Sequence, residues 1–338
     1  HLAIVNSRIE GNTAGAEGGG GVSANSATLT LTNVDFAHNT AAGEGGGLVS
    51  WYQTATLTDV ILRGNQSVSG AGGGASVRAG TLWGYRLRID GNRSSGDGGG
   101  LWFWEGMVAT IEDSSLRWNF QQSGYGAGLY VDAAGSVGLV DTTVAWNRGL
   151  GTSAGTGGGG IANFGILELD NCTVSGNRTG SLGKGGGIAN LGFGLLGVYN
   201  STVADNEAAV GGGLSWETTG FVEAMSSLLV GNTAPGVDDS CGGNAAAAVF
   251  NWSLWDDASC PAGTGIGNQS GTAVAIAPLA KTCTGLATEL TETHDLAAAS
   301  AAIDSGVCVG GLVLDQRGVA RPQGAACDIG ADEYILTA

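Results

Sequence analysis

The chain has 338 residues, 64 of them glycine and four proline, with 13 Lys and Arg against 30 Asp and Glu for a formal charge of −17. Collagen needs a strict Gly-X-Y period and abundant proline, and disorder needs low apolar content, whereas this chain has neither feature and is 43% hydrophobic. The acidic balance argues against nucleic acid and anionic membranes, both of which select clustered Lys and Arg, and no apolar run approaches the ~18 residues of a membrane helix.

The sequence opens on His1 rather than Met, which points to a segment removed or left out upstream. Leu2-Ala-Ile-Val-Asn-Ser-Arg-Ile already reads as a strand of a repeating unit, with no polar cap before it. From there a motif recurs: an aliphatic or aromatic residue, two variable residues, then Asn. The Asn positions are Asn12, Asn39, Asn65, Asn92, Asn119, Asn147, Asn177, Asn206 and Asn232, at intervals of 26 to 30 residues. A glycine triplet keeps step with them, as in Gly45-Gly46-Gly47 and Gly72-Gly73-Gly74, and an apolar residue such as Leu48 or Ala75 follows it. Between these landmarks apolar and polar residues alternate, as in half-buried strands.

This period, with short strands and glycine turns, predicts an all-β, right-handed parallel β-helix of about nine coils over residues 1–237. Coils stack ~4.8 Å apart, so the Asn side chains are expected to form a ladder of amides along one corner. The glycine that often precedes Asn suits a corner with positive φ. The triplets are expected at a second corner with no room for side chains. Residues 238–338 depart from the repeat and are expected to form an irregular capping region.

Six cysteines are present, five of them in the last hundred residues and none in a zinc-like C-x-x-C. Cys241 with Cys260 and Cys308 with Cys327 are the expected bridges, which suits an exported, extracellular or cell-surface protein. Cys172 takes the place of a Ser or Thr found in other coils and is expected to be an inward free thiol, while Cys283 has no evident partner. The charged cluster of Asp315, Arg317, Arg321, Asp328, Asp332 and Glu333 is expected to lock the cap onto the last coil by bidentate Arg pairs.

These residues also carry a resemblance. Phe36-Ala-His-Asn39 and Gly46-Gly47-Leu48 resemble the repeats of polymorphic outer-membrane proteins. Ala302-Ile-Asp-Ser-Gly306, Asp315-Gln-Arg-Gly-Val-Ala-Arg-Pro322 and Cys327-Asp-Ile-Gly-Ala-Asp-Glu333 resemble the end of the choice-of-anchor Q domain of exported bacterial β-helix proteins, often called CSLREA-domain proteins. The resemblance implies export and a β-helix but no settled activity. The family's usual N-terminal region, and any sorting signal or autotransporter barrel, lie outside this sequence.

A catalytic or metal site would need carboxylates converging on one face of adjacent coils. The nearest row precedes the triplets, with Glu17, Glu44 and Asp97, but Ala71, Tyr125, Thr156, Lys184 and Val210 interrupt it. Solvated turns account for it better than catalysis, and calcium, the one cofactor it suggests, finds few ligands there. His1, His38 and His294 lack local partners, and no nucleophile elbow or phosphate loop is present. Outward aromatics are more suggestive: Trp51, Trp104 and Phe164 on alternate coils, with Trp102 and Tyr130 on the same parity. They would stack on sugar rings, meet another protein, or stack on one another.

The expected function is therefore a non-enzymatic structural or adhesive surface protein. Its first coil offers an open β edge for head-to-tail self-association or for another surface protein. The alternatives are a polysaccharide-binding module using the aromatics and, behind it, a polysaccharide lyase or hydrolase.

Overall fold

The computed structural model describes residues 1–25, 28–151, 155–235, 239–261, 265–272, 274–281 and 291–335. Among them, strands form three parallel sheets of eighteen, nine and six members. Each coil takes the same course. A two-residue strand follows the Asn (Thr40–Ala41), the triplet turns the chain, and a short strand follows it (Leu48–Trp51). A long strand then leads to the next Asn (Thr54–Arg63); in later coils it is divided in two, as Thr81–Tyr85 and Arg88–Asp90. The chain is a parallel β-helix of about nine coils, as the period predicts.

Pairing is in register, so every repeat position becomes a column. Phe36, Leu62, Ile89, Leu116, Val144 and Val174 pair in succession along one interior column. The residues after the triplets, from Leu48 and Ala75 through Leu101 to Leu214 and Cys241, form another. Both columns belong to one continuous hydrophobic core.

The asparagines form the expected ladder. Asn65 shows the full pattern: its Oδ1 accepts from the backbone N and the Nδ2 of Asn39, each at 3.0 Å. Its Nδ2 donates to Phe36 O and to Asn92 Oδ1, again at 3.0 Å. The interior members from Asn39 to Asn206 are fully buried. One triplet explains the glycines. Gly45 has φ +59°, a Cβ on Gly46 would lie 2.3 Å from Gly73 O, and one on Gly47 would lie 3.0 Å from Cγ of Asn65. The first glycine makes the turn, the second lets coils approach, and the third makes room for the ladder amide.

Coil pairing continues past residue 237. Cys241–Gly242, Ala248–Asn251 and Leu254–Trp255 extend the sheets, and Gln269–Ser270 pairs with Leu254–Trp255. These coils lack the repeat landmarks: with Trp255 in the column of Leu229, the position after Asn232 in the ladder falls to Ala258. The disulfide Cys241–Cys260 closes this region, with Cα atoms 4.9 Å apart.

The remaining described residues run back along the flank of the solenoid, where the expectation was a cap on the last coil. Leu296, Ala302 and Ile329 pack against Leu228, Val230 and Leu254. Farther back, Gln316 meets Thr173 and Thr143, and Glu292 reaches Arg117 at 2.8 Å. Thr143, Thr173, Ser175 and Thr202, outward residues of the covered strands, are small hydroxyls, so a chain fits over them and finds hydrogen bonds. Among the described residues no helix is long and apolar enough to cross a membrane.

Asn119→Ala would strand the backbone N–H and Nδ2 of Asn92, both of which donate to Asn119 Oδ1. At about 1–3 kcal/mol for each orphaned buried group, urea unfolding should show a loss of roughly 3 kcal/mol. Asn12→Ala, at the exposed end of the ladder, should cost less than about 1 kcal/mol.

Candidate functional site

The carboxylates before the triplets do not converge. Glu17 is exposed, Glu44 accepts a hydrogen bond from Ser76 Oγ at 3.1 Å, and Asp97 accepts one from Tyr125 N at 2.8 Å. Glu44 and Asp97 are two coils apart, separated by Ala71. Burial pushes the Asp97 carboxyl up to about 6. Among the described residues no three His, Cys, Asp or Glu side chains are grouped to hold a metal ion.

The aromatic row has the outward parity expected, since Leu101 and Phe103 of the same strand enter the core. Its exposure is another matter. Trp102 and Tyr130 are only 9% and 7% exposed. Trp102 stacks on Trp104 with centroids 5.2 Å apart, and Phe164 meets Tyr130 at 5.6 Å and Tyr125 edge-on at 5.1 Å. Tyr125, from the segment just before a triplet, closes over the group, which forms a small core of its own with Ala71 and Ala162. Trp51 stands apart, half-buried under the Arg78 guanidinium at 5.7 Å. These rings face one another more than they face solvent.

His38 lies at the corner over Gly64, where a Cβ would come 2.6 Å from Nδ1. His294 has partners that are far away in sequence. Its Nε2 is 2.8 Å from Ser175 Oγ and its Nδ1 2.7 Å from Ala277 O. With the carbonyl accepting from Nδ1–H, Nε2 is left to accept from the Ser175 hydroxyl. The pairing has the form of a nucleophile and its base, but both residues are 2% exposed and lie between the flanking segment and the coils. Burial lowers the imidazole's affinity for a proton. The pair pins the segment in place.

The C-terminal charges are likewise structural. Arg317 meets Asp315 at 2.8 Å, Asp295 at 2.9 Å and Asp332 at 3.1 Å. Arg321 pairs with Glu333 at 2.9 Å, with both side chains fully buried. Asp328 receives the backbone N–H groups of Asp304 and Tyr334. The cluster ties the flanking segment to itself, and Cys308–Cys327 closes its loop with Cα atoms 5.4 Å apart. Cys172 is a free thiol in the core, within 3.3 Å of Leu139 O. Cys283 lies outside the described residues.

One polar column escaped the motif reading. Asn6, Asn33, Asp59, Arg86, Asp113, Asp141, Asn171 and Asn200 all have φ between 43° and 55° and mark the kink within the long strands. Asn33 Nδ2 donates to Asn6 Oδ1 at 2.9 Å, and Arg86 pairs with Asp59 at 2.6 Å. The signal was a second Asn/Asp recurrence six residues before seven of the nine ladder positions, with Arg86 and Ser226 at the other two. Farther along the column, Asn171 Nδ2 and Leu314 O are 2.8 Å apart, which fastens the flanking segment.

No protein-family model matches the sequence, and no curated protein matches it.

Asp141 supplies a pH test. Burial first, then the Asp113 carboxylate, pushes it up to about 7, with Asp315 and Glu112 adding to the rise and Asn171 opposing it. A folded pKa raised above the unfolded value contributes stability that is complete below about 3.8 and lost as pH rises through about 7. Relative to Asp141→Asn, the native chain should therefore lose stability between pH 5 and pH 8 in thermal melts. Parallel pH profiles of the two proteins would contradict this assignment.

Proposed function

We propose that the chain is a non-enzymatic, extracellular structural or adhesive β-solenoid, exported like the choice-of-anchor Q proteins that its C-terminal motifs resemble. The observation that carries this reading is where its polar side chains go. The ladder amides, the hydroxyls of Thr143, Thr173, Ser175 and Thr202, and the Arg317 and Arg321 ion pairs are engaged by other parts of the same chain. The two disulfides favour an oxidising compartment. Catalysis is the weaker reading, because Glu44 and Asp97 each serve a neighbouring coil. Sugar binding by Trp51, Trp102, Trp104, Tyr130 and Phe164 is weakened by the closure of most of these rings on one another.

The strand Leu2–Glu10 pairs with Leu29–Ala37 along one edge. Its other edge would accept a strand from preceding residues of the polypeptide or from a second copy. A second copy would make a heterologous contact of the kind that builds filaments. Electron microscopy and sedimentation over a concentration series test the proposal. Rods that lengthen end to end with concentration are expected; a monodisperse particle at high concentration would remove the assembly reading. Polysaccharide cleavage that disappears in Glu44→Gln or Asp97→Asn would remove the non-enzymatic one.

A further inference from the structure

With 30 acidic side chains against 13 basic ones, a cation in this chain finds a carboxylate easily. Among the described residues, ten of the thirteen Lys and Arg do so. The three that do not are Arg93, Arg148 and Lys281. Arg93 and Arg148 share one column, whose register runs Arg93, Phe120, Arg148, Arg178. Each member sits one residue past a ladder Asn, at the outer side of that corner.

Arg93 lies over the Phe120 ring, 4.6 Å from its centroid, with a long 3.4 Å contact to Gln122 Oε1. Arg148 is exposed and stands beside Arg178, whose charge is taken by Glu207. Among the described residues Arg148 has no carboxylate of its own, so its guanidinium is open to an added anion. A cleft of about 340 Å³ opens there, lined by Arg148, Arg178, Glu207 and Pro235 among others.

On the other side of the same asparagines stand Trp118 and Trp146, stacked 4.7 Å apart with a 17° angle between their planes. Trp146 leans over Gly176, where a Cβ would come 2.7 Å from the indole. Trp118 is 59% exposed. The next corner position beyond it is Gly91, with no atom within 4 Å of where a Cβ would lie, so the far face of the Trp118 indole is open.

An open indole face beside unpaired guanidiniums suits a sugar ring that carries an anionic group. The C–H face of the ring stacks on the indole, and a carboxylate or sulfate accepts two N–H bonds from Arg. We infer that the corner made by Arg93, Trp118, Phe120, Trp146 and Arg148 binds an acidic polysaccharide, one ring of which lies flat on the open indole face of Trp118. Arg93 and Arg148 are two coils apart, about 9.6 Å, so acidic groups of neighbouring rings can reach one each. A glycan with acidic groups spaced along its chain meets these two guanidiniums, whereas duplex nucleic acid brings one charge per about 1.7 Å to a chain of −17. The inference holds whether or not the chain assembles into rods.

Affinity electrophoresis of the intact chain tests it, in gels containing polygalacturonate, alginate, dextran sulfate, neutral dextran or single-stranded DNA. Retardation by an acidic glycan is expected, weakening as salt is raised, and the polymer that retards distinguishes uronate from sulfate. Arg148→Glu and Trp118→Gly should each weaken it at least tenfold. Glycine is the residue that several other coils use at the Trp118 position, so its φ of +57° is kept. Arg8→Gln, at an exposed arginine elsewhere on the surface, should change nothing, and circular dichroism melts should show all three variants folded. The inference is overturned if no acidic glycan retards the native chain, if both site variants are retarded like the native chain, or if only DNA binding responds to them.

Discussion

A carboxamide buried inside a solenoid has to find all its hydrogen-bond partners in the coils above and below it. Asn65 does so with two bonds donated and two accepted, and that requirement sets much of the rest. Register cannot slip by one residue without stranding several buried polar groups at once, each costing about 1–3 kcal/mol. The apolar columns are held in line by the same register. The amide also needs space, which the third glycine of the triplet supplies, and the close approach of neighbouring coils excludes a side chain on the second. The glycine excess is the counterpart of the ladder.

The flanking segment adds a second level of organisation. A solenoid held only by nearest-neighbour contacts is a one-dimensional stack, in which each coil depends on the next. Residues 291–335 bridge coils far apart in the stack: Arg117 through Glu292, Thr143 and Thr173 through Gln316, Ser175 through His294 and Thr202 through Ala331. Buried ion pairs at Arg317 and Arg321 keep this segment in one shape. Such pairs rarely add net stability over apolar packing, but removing one partner leaves a buried charge uncompensated. Among the described residues none covers the first coils in this way, and there the outward Arg63 and Asp35 form a partly exposed surface pair.

The coil repeat was legible because its landmarks are local: an apolar residue three before Asn, a triplet, and an alternating strand. Two disulfides and the inward Cys172 could be read for the same reason. The flanking segment was harder, because Ser175 and His294 are 119 residues apart and nothing near either residue names the other. The aromatic row was half legible. Parity follows from the period of two, but whether Tyr125 folds over Trp102 and Tyr130 depends on a loop that no pattern describes. Of the corner with Trp118 and Arg148, the sequence showed only two Trp residues interrupting a glycine column. Its meaning depends on which guanidiniums lack a carboxylate, a question that only three-dimensional neighbours answer.

The central claim is that coil-to-coil bonding holds the rod and that the flanking segment unites its later coils. Residue-resolved native-state hydrogen exchange tests it directly. The strands from Ser115 to Trp255, which lie under or between the segment's contacts, should open together and be the most protected. The strands of the first two coils, Leu2–Glu10 and Leu29–Ala37, should open at lower free energy. Uniform protection along the whole solenoid, or a first coil as protected as the covered ones, would contradict this account.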